Sequence, residues 1–188
     1  MARPREFEPE TAAEKAMHLF WEKGYFDTSI RELSDRTGVG PYGLYAEFGD
    51  KRGLFLASLD HYRKTVTGDI LSVLEHSGPP EDRIRAAFER AHELMASPEH
   101  HLGCLMCNTA AELGPHDSDA ARKVKEHLDL LRRSFNKVLA RDGLPEPDVI
   151  EKAEILTMSL YSMALLIRSG HDADHVRRYR QSVLKILD

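Results

Sequence analysis

The amino-acid sequence predicts an all-α protein, built from an N-terminal three-helix unit followed by a larger helical domain. Apolar residues recur at the three- and four-residue spacing of helices along almost the whole chain. There is no sustained apolar–polar alternation bounded by hairpin turns, and glycine and proline clusters separate the periodic stretches. The 188 residues suffice for one domain or two small ones, and we predict two segments, 6–66 and 67–188.

The first predicted helix runs from Pro9 to Lys23. Five apolar residues at helical spacing give it one buried face, and Gly24 supplies a residue able to end it. These apolar residues are Ala13, Ala16, Met17, Phe20 and Trp21. The helix therefore begins a small core.

Two short helices follow. Ser29 and Glu32 have the spacing of a capping box, and Gly38 can take the left-handed conformation that ends a helix. The next helix spans 39–48, with Pro41 in its first turn, where a missing N–H costs nothing. The residues spaced to face inward are Ile30, Leu33, Val39, Leu44 and Phe48. Two helices of about eight residues joined by a glycine-containing turn indicate a helix-turn-helix.

The rest of the chain is also predicted to be helical. Asp50 caps a long helix over residues 51–75. Further helices are predicted over about 81–96, 102–113, 118–141, 147–169 and 172–187. Proline and glycine at 78–80, 98, 114–115, 143–147 and 170 separate them.

Composition and charge restrict the function. Hydrophobic residues make up 41% and charged residues 30% of the chain, the balance of a globular protein. The longest apolar stretch, 156–167, is shorter than the roughly 20 residues of a membrane span, and the N-terminus lacks the apolar region of an export signal. We therefore expect a cytoplasmic protein with no membrane partner and, with two cysteines, free thiols rather than a disulfide. The net charge of −5 argues against non-specific coating of DNA but leaves a local basic contact possible.

The outward face of the second short helix is the predicted functional surface. It carries Pro41, Tyr42, Gly43, Tyr45 and Ala46. Such a helix fits a major groove about 12 Å wide. Since none of these side chains can make a bidentate base contact, base readout is expected from apolar contacts with thymine methyl groups and from Arg31. Phosphate contacts are expected from Ser29, Tyr45 and Lys51. The alternative is an ordinary helical corner whose tyrosines only pack.

These segments also resemble a known family. Residues 28–33, 37–39, 44–51 and 54–55 are similar to the DNA-binding domain of TetR/AcrR-type regulators, over about residues 6–66. The resemblance implies that Tyr45 and Lys51 touch phosphates, and that Arg31, Pro41 and Tyr42 lie at or near bases. It implies a repressor of transcription, bound to double-stranded operator DNA and released by a small-molecule inducer. The chain departs from the common pattern at Gly40, Pro41 and Gly43, which removes two potential DNA contacts.

A homodimer through the last two helices is predicted, because operator half-sites require a two-fold partner. Two apolar seams with steps of three and four residues are the candidate interface. The first seam consists of Val149, Ala153, Leu156, Leu160, Met163 and Ile167, and the second of Val176, Tyr179, Val183 and Ile186. The alternative is that both seams face the core of their own subunit.

The segment 100–113 is the chemically most suggestive part of the second domain. In a helix, Cys104 and Cys107 share a face, and a cysteine near the helix start is expected to have a lowered pKa and to sense electrophiles or oxidants. The stretch also resembles one near the ligand chamber of some TetR/AcrR-type regulators, a few of which sense reactive species through cysteine. The candidate ligand or redox residues are Cys104, Cys107, Met106, Phe88, Phe135 and Tyr161, with Met95, Met158 and Met163 as further candidate lining. The alternative is that cysteines and methionines alike are core residues.

Two other chemistries are weighed against sensing. A metal site of His100, His101, Cys104 and Cys107 has suitable ligand types but the spacing of no common closed site, so we predict neither metal nor cofactor. The alternative function is a helical thiol- or metal-dependent enzyme with Cys104 as nucleophile. No glycine-rich phosphate loop or carboxylate pair supports it, and we predict no catalytic residues.

Overall fold

The computed structural model describes residues 7–96, 102–140 and 145–187, and within these ranges the chain forms helices and turns without an extended strand. The helices are α1 (Pro9–Lys23), α2 (Ile30–Thr37), α3 (Pro41–Phe48), α4 (Lys51–Tyr62), α5 (Gly68–Ser72), α6 (Pro80–Met95), α7 (Leu105–Leu113), α8 (Ser118–Leu139), α9 (Glu146–Arg168) and α10 (Ala173–Leu184). The all-α prediction is confirmed. None of the helices in these ranges has both the length and the apolar character required to cross a membrane.

The predicted local signals of the N-terminal helices are confirmed. The Ser29 side chain accepts a hydrogen bond from the backbone N–H of Glu32, whose carboxylate in turn accepts one from the backbone N–H of Ser29 at 2.9 Å. Gly38 ends α2 in the left-handed conformation, with φ of 78°. Pro41 opens α3, and Asp50 caps α4 by accepting a hydrogen bond from the backbone N–H of Gly53 at 2.7 Å. The angle between α2 and α3 is thus fixed by residues close in sequence.

A small core holds α1 to α4 together. Phe20 of α1 packs edge-to-face on Phe55 of α4, with ring centroids 4.9 Å apart. Leu33 of α2 and Leu44 of α3 are fully buried in the same core. The other residues predicted to face inward, Ile30, Val39 and Phe48, are partly buried against it. This packing presents one side of α3 to the core and the other to solvent.

The long helix predicted over residues 51–75 forms, but it is not uniform. After α4 the chain makes a π-helical turn, Arg63–Thr67, then continues as α5 and ends in a 3₁₀ turn, Val73–Glu75. Backbone dihedral angles at the junctions stay in the right-handed helical region. A π-helical turn inserts an extra residue into the ladder and is frequent at functional sites. Thr67, at its end, lines the cavity described below.

The predicted dimer seam on α9 is wrong. All six of its residues are buried against the rest of their own chain, whereas in the α10 seam Val176 is buried and the other three residues are partly buried. The opposite face of α9 carries the exposed apolar residues Ile150, Ile155, Met158 and Leu165, the last 60% exposed. Periodicity identified an apolar face correctly, but it does not distinguish a face that meets its own core from one that meets a partner.

Candidate nucleic-acid interface and internal cavity

Helix α3 has two sharply different sides. Leu44 is 1% exposed, whereas Tyr42 is 89% exposed and Tyr45 about half exposed on the outward side. Pro41 and Ala46 are also exposed, and Gly43 is half-buried. A Cβ on Gly43 would lie 2.9 Å from the Val39 side chain, so glycine allows the close packing of α3 on the preceding turn. The aromatic rings of Tyr42 and Tyr45 are thus available to an external partner.

Arg31 is the available cation beside this face. It is exposed at the start of α2, and the described part of the chain offers it no ion pair or hydrogen bond. Arg36, on the last turn of the same helix, is by contrast paired with Glu22, with an Nη2–Oε2 distance of 2.9 Å. The Ser29 hydroxyl is engaged in the capping box, donating to Glu32 Oε2 at 2.7 Å. The two arginines of α2 therefore differ in their freedom to meet phosphate or base.

The outward side of α3 and the exposed Arg31 of α2 together form what we call the reading surface. Lys51 holds the turn that leads into α2. Its ammonium donates to the backbone carbonyls of Tyr25 and Thr28, both at 2.9 Å, and lies 4.3 Å from the centre of the Tyr25 ring. An ammonium has three N–H donors, so one remains for a phosphate. Lys51 thus holds the turn between α1 and α2 against the start of α4, and its phosphate contact stays a prediction.

The same turn is held from the other side by α7. The Glu112 carboxylate accepts hydrogen bonds from the backbone N–H groups of Tyr25 at 3.0 Å and Phe26 at 2.7 Å. Nearby, the Trp21 indole donates to the Gly103 carbonyl at 3.2 Å, and Arg168 of α9 donates to the Trp21 carbonyl at 3.3 Å. The end of α1 is therefore attached to both ends of the α7 segment and to α9.

Ion pairs attach α4 to α8. Arg52 contacts Asp117 through Nε at 2.5 Å and Nη2 at 2.9 Å, and contacts Asp119 at 2.7 Å. Asp117 also caps α8 by accepting from the backbone N–H groups of Asp119 and Ala120, both at 3.0 Å. The hydrogen bond from Arg52, followed by that from Ala120, lowers the pKa of Asp117 to about 2. Further along, Lys123 pairs with Asp60 at 2.6 Å, so the contact continues along α4.

A small cavity lies between α4, α5, α6, α8, α9 and the start of α7. Its lining consists of Tyr62, Thr67, Ile70, Met95, Cys104, His127, Leu131, Leu160 and Tyr161. The free volume of about 10 Å³ is close to the smallest that holds one water molecule. Four of the lining residues are apolar, and the other five carry a polar group and come from five different segments. The structure therefore shows a nearly closed chamber, by which we mean one with almost no free volume inside it.

The polar groups of this cavity are incompletely paired. The Tyr62 hydroxyl donates to Cys104 Sγ at 3.4 Å, and Thr67 Oγ1 lies 3.4 Å from His127 Nδ1. Among the described residues, the buried Tyr161 hydroxyl has no hydrogen-bond partner. Burial, assisted by Arg63, lowers the pKa of His127 to about 4, so its imidazole is neutral at pH 7. Burial, then Cys104 and Cys107, raises the pKa of Tyr161. No lining side chain carries a charge.

The expected lowering of the Cys104 pKa is wrong. Helix α7 begins at Leu105, three residues later than predicted, and Cys104 is its N-cap residue. Cys104 is 2% exposed, and burial raises its pKa despite the hydrogen bond from Tyr62. Burial also raises the pKa of Cys107 to about 11. Desolvation of a thiolate thus outweighs the favourable helix terminus.

The predicted ligand residues divide into two groups. Cys104, Tyr161 and Met95 line the cavity. Five others lie outside the cavity lining: Cys107 is half-buried, and the rest, Phe88, Met106, Phe135 and Met163, are buried in the core. Met158 lies on the exposed face of α9, so its assignment to a chamber is wrong. No group of metal-binding side chains occurs in the described ranges, and His100 and His101 lie outside them.

Sequence reasoning missed His127, Tyr62 and Thr67. A signal for His127 was present, because it occupies a position in the apolar stripe of α8. That stripe consists of Ala120, Val124, His127, Leu131 and Phe135, all buried. A histidine at such a position indicates a polar group inside the core. Tyr62 and Thr67 had no comparable signal, since their place depends on the π-helical turn between them.

Two family profiles match the chain. Residues 13–58 match the family described as bacterial regulatory proteins, tetR family. Residues 80–183 match the family described as tetracyclin repressor-like, C-terminal domain. Together they cover both the helix-turn-helix and the helices that surround the cavity.

Individual relatives agree with these matches. The chain is 30% identical to the HTH-type transcriptional repressor ComR of Escherichia coli (strain K12), over 98% of this chain and 90% of the relative. It is 28% identical, over the full length of both, to the uncharacterized HTH-type transcriptional regulator YezE of Bacillus subtilis (strain 168). It also superposes with a TM-score of 0.84 and 26% identity on a cysteine mutant of the TetR family transcriptional regulator CifR complexed with double-strand operator DNA, covering 97% of this chain and 98% of that one. The chain belongs to the tetR family of bacterial regulatory proteins and is a DNA-binding transcriptional regulator.

Proposed function

We propose that the protein is a cytoplasmic repressor that binds double-stranded operator DNA as a homodimer and leaves it when a small molecule occupies the cavity. The observation that carries the proposal is the two-sided α3, where Leu44 is buried and Tyr42 is almost fully exposed. On the open side of the second helix of a helix-turn-helix, the ring and hydroxyl of such a tyrosine are free to contact DNA. The names of ComR and BdcR, both transcriptional repressors of Escherichia coli (strain K12), support repression.

The proposed DNA contacts follow from the exposure of each group. Tyr42, Pro41 and Arg31 contact bases, while Tyr45 and the remaining N–H of Lys51 contact phosphate. Ser29 contributes less than its position suggests, because its hydroxyl and backbone N–H are both used by Glu32. Gly43 is proposed to act only indirectly, because the place of its missing Cβ lies against Val39 rather than toward solvent.

The homodimer is proposed to form through the outer face of α9 together with α10. Ile155, Met158, Ser162 and Leu165 follow one another at steps of three and four residues on this exposed face. Such a stripe is suited to packing against the same helix of a second copy around a two-fold axis. This surface replaces the buried seam that the periodicity first indicated.

Release is proposed to travel through α4 and α7. Both helices contribute to the cavity, by Tyr62 at the end of α4 and by Cys104 at the start of α7. Both also hold the reading surface, by Lys51 and by Glu112. A ligand that opens the nearly closed cavity therefore favours a different arrangement of the two reading surfaces, in proportion to its differential affinity. Because Cys104 is buried with a raised pKa, we favour ligand occupancy over thiol modification as the trigger.

Fluorescence anisotropy with duplexes from the promoter upstream of the protein's own gene tests the proposal. The wild-type protein should bind, with affinity that falls steeply as salt increases. Arg31→Ala should weaken binding about tenfold and, because Arg31 is proposed to contact a base, leave the salt slope nearly unchanged; a slope reduced by about one would assign Arg31 to a phosphate instead. Arg36→Ala is the matched control, because Arg36 is already paired with Glu22, and should change binding much less.

Failure takes a clear form. Absence of wild-type binding to any promoter-derived duplex at low salt contradicts the proposed function. Equal losses of promoter affinity in Arg31→Ala and Arg36→Ala contradict the proposed reading surface.

Leu165→Glu tests the proposed homodimer. It should shift the protein to monomers in analytical ultracentrifugation and reduce operator affinity, whereas a dimer that persists places the interface elsewhere.

A further inference from the structure

We infer that the effector of this protein is a small, uncharged molecule with a compact apolar body and one hydrogen-bond acceptor, such as a carbonyl oxygen, which the Tyr161 hydroxyl binds. The inference rests on the proposed function only in taking the cavity as the effector site. It concerns the chemistry of the cavity, which neither the family nor the fold decides.

Two phenol hydroxyls on the cavity wall lack a strong hydrogen-bond acceptor among the described residues. In the described part of the chain the buried Tyr161 hydroxyl has no partner, and the Tyr62 hydroxyl donates only to the sulfur of Cys104, which is a weak acceptor. Buried polar groups in proteins are normally paired, and a phenol hydroxyl is a stronger donor than acceptor, so an unpaired phenol on a cavity wall favours a ligand with an acceptor.

The wall of the cavity is unsuited to charged ligands. An anion in this cavity would find no cation on its walls, because His127 is neutral at pH 7 and the neighbouring Arg63 is paired with Glu126 at 2.8 Å. A cation would find no carboxylate among the lining residues. Burying a charge without a counter-charge is strongly unfavourable.

A pure hydrocarbon is excluded as the preferred ligand. Such a molecule would fill the apolar part of the wall, formed by Ile70, Leu131 and Leu160, but would leave the Tyr161 hydroxyl unpaired. An acceptor of the same shape gains that hydrogen bond in addition. Selectivity for the acceptor should therefore depend on one oxygen atom of the protein.

The free volume of the cavity is smaller than any organic ligand. With a free volume of about 10 Å³, the cavity has to expand around any organic molecule. Two features of its wall allow this: the flexible side chain of Met95, and Thr67 at the end of the π-helical turn, where the helical ladder is already interrupted. A compact ligand needs the least expansion, and the expansion displaces the end of α4, which carries Tyr62.

Three molecules of nearly equal shape test the inference: acetophenone with a carbonyl acceptor, α-methylstyrene with a methylene group in its place, and benzoate with a negative charge. Their dissociation constants for the full chain are measured by calorimetry without DNA. Acetophenone should bind about tenfold more tightly than either of the others. In Tyr161→Phe the preference over α-methylstyrene should fall to about one, because the donor is gone.

Tyr179→Phe is the matched control. It also removes one phenol hydroxyl, whose weak bond runs to the Ser159 carbonyl at 3.4 Å and which lies outside the cavity lining. This variant should keep the wild-type preference. The inference is overturned if α-methylstyrene or benzoate binds as tightly as acetophenone, if no probe binds at millimolar concentration, or if the preference survives in Tyr161→Phe.

The two proposals fail separately. Binding of the probes in the expected order by a protein that binds no promoter duplex contradicts the proposed function and leaves the effector chemistry in place. Binding of the promoter by a protein that shows no preference for acetophenone does the opposite.

Discussion

Helices α1 to α4, here called the reading unit, and helices α5 to α10, here called the effector unit after its proposed role, differ in where their unpartnered side-chain groups lie. In the reading unit the caps at Ser29 and Asp50 are complete, and the unpartnered groups, Tyr42 and Arg31, stand in solvent. In the effector unit the buried hydroxyl of Tyr161, at a nearly closed cavity, has no partner within the ranges that the structure describes. Exposed groups are satisfied by water, whereas buried ones reduce stability. DNA can therefore dock on a ready surface, whereas the proposed ligand of the cavity would have to open the core.

The largest expected effect separates the two sides of α3. Leu44→Ala removes the buried residue of that helix and should reduce the free energy of unfolding by about 2–5 kcal/mol. Tyr42→Ala should change it by less than about 0.5 kcal/mol, since its ring makes little contact with the protein, yet it should weaken promoter binding. Urea unfolding and fluorescence anisotropy measure the two quantities. A substantial loss of stability in Tyr42→Ala would show that its ring supports the fold.

The next effect concerns a glycine that joins the effector unit to α1. Gly103 has φ of 63°, its carbonyl accepts from Trp21, and an added Cβ would lie 2.7 Å from the Ala164 carbonyl oxygen. Gly103→Ala should therefore cost at least about 2 kcal/mol of stability. Gly170→Ala, at φ of 76° but with open space around its Cβ, should cost only about 1 kcal/mol. Equal losses in the two variants would mean that the close approach to α9 is unimportant.

These comparisons also show which features could be predicted from sequence. The capping box at Ser29, the left-handed Gly38 and the cap at Asp50 depend on residues within four positions, so their pattern was sufficient. The pKa of Cys104 depends on its burial in a core assembled from helices distant in sequence, which no local pattern contains. The side of α9 that meets the core depends likewise on how α8 packs. The outward face of α3 was therefore predicted, while most of the cavity was not.

A smaller effect tests the link between the two units. Asp117→Asn should keep the cap of α8, since asparagine is an equally good N-cap, but lose the ion pair with Arg52, at about 1 kcal/mol at pH 7. The folded state lowers the pKa of Asp117 from 3.8 to about 2. Its contribution is thus complete above about pH 4 and lost as the pH falls toward 2. Urea unfolding between pH 2 and 7 should show a smaller acid loss in the variant; an unchanged curve would contradict the link.

The smallest expected effect has the opposite sign. Tyr161→Phe removes a buried hydroxyl that has no partner among the described residues, so it should raise the free energy of unfolding by up to about 1 kcal/mol. Tyr62→Phe is the matched comparison, because its hydroxyl donates to Cys104 Sγ, and it should be neutral or destabilising. Both are measured by urea unfolding without ligand. If Tyr161→Phe were the less stable of the two, its hydroxyl would already be satisfied in the free protein, by water in the cavity, and an effector would have to displace that water to bind.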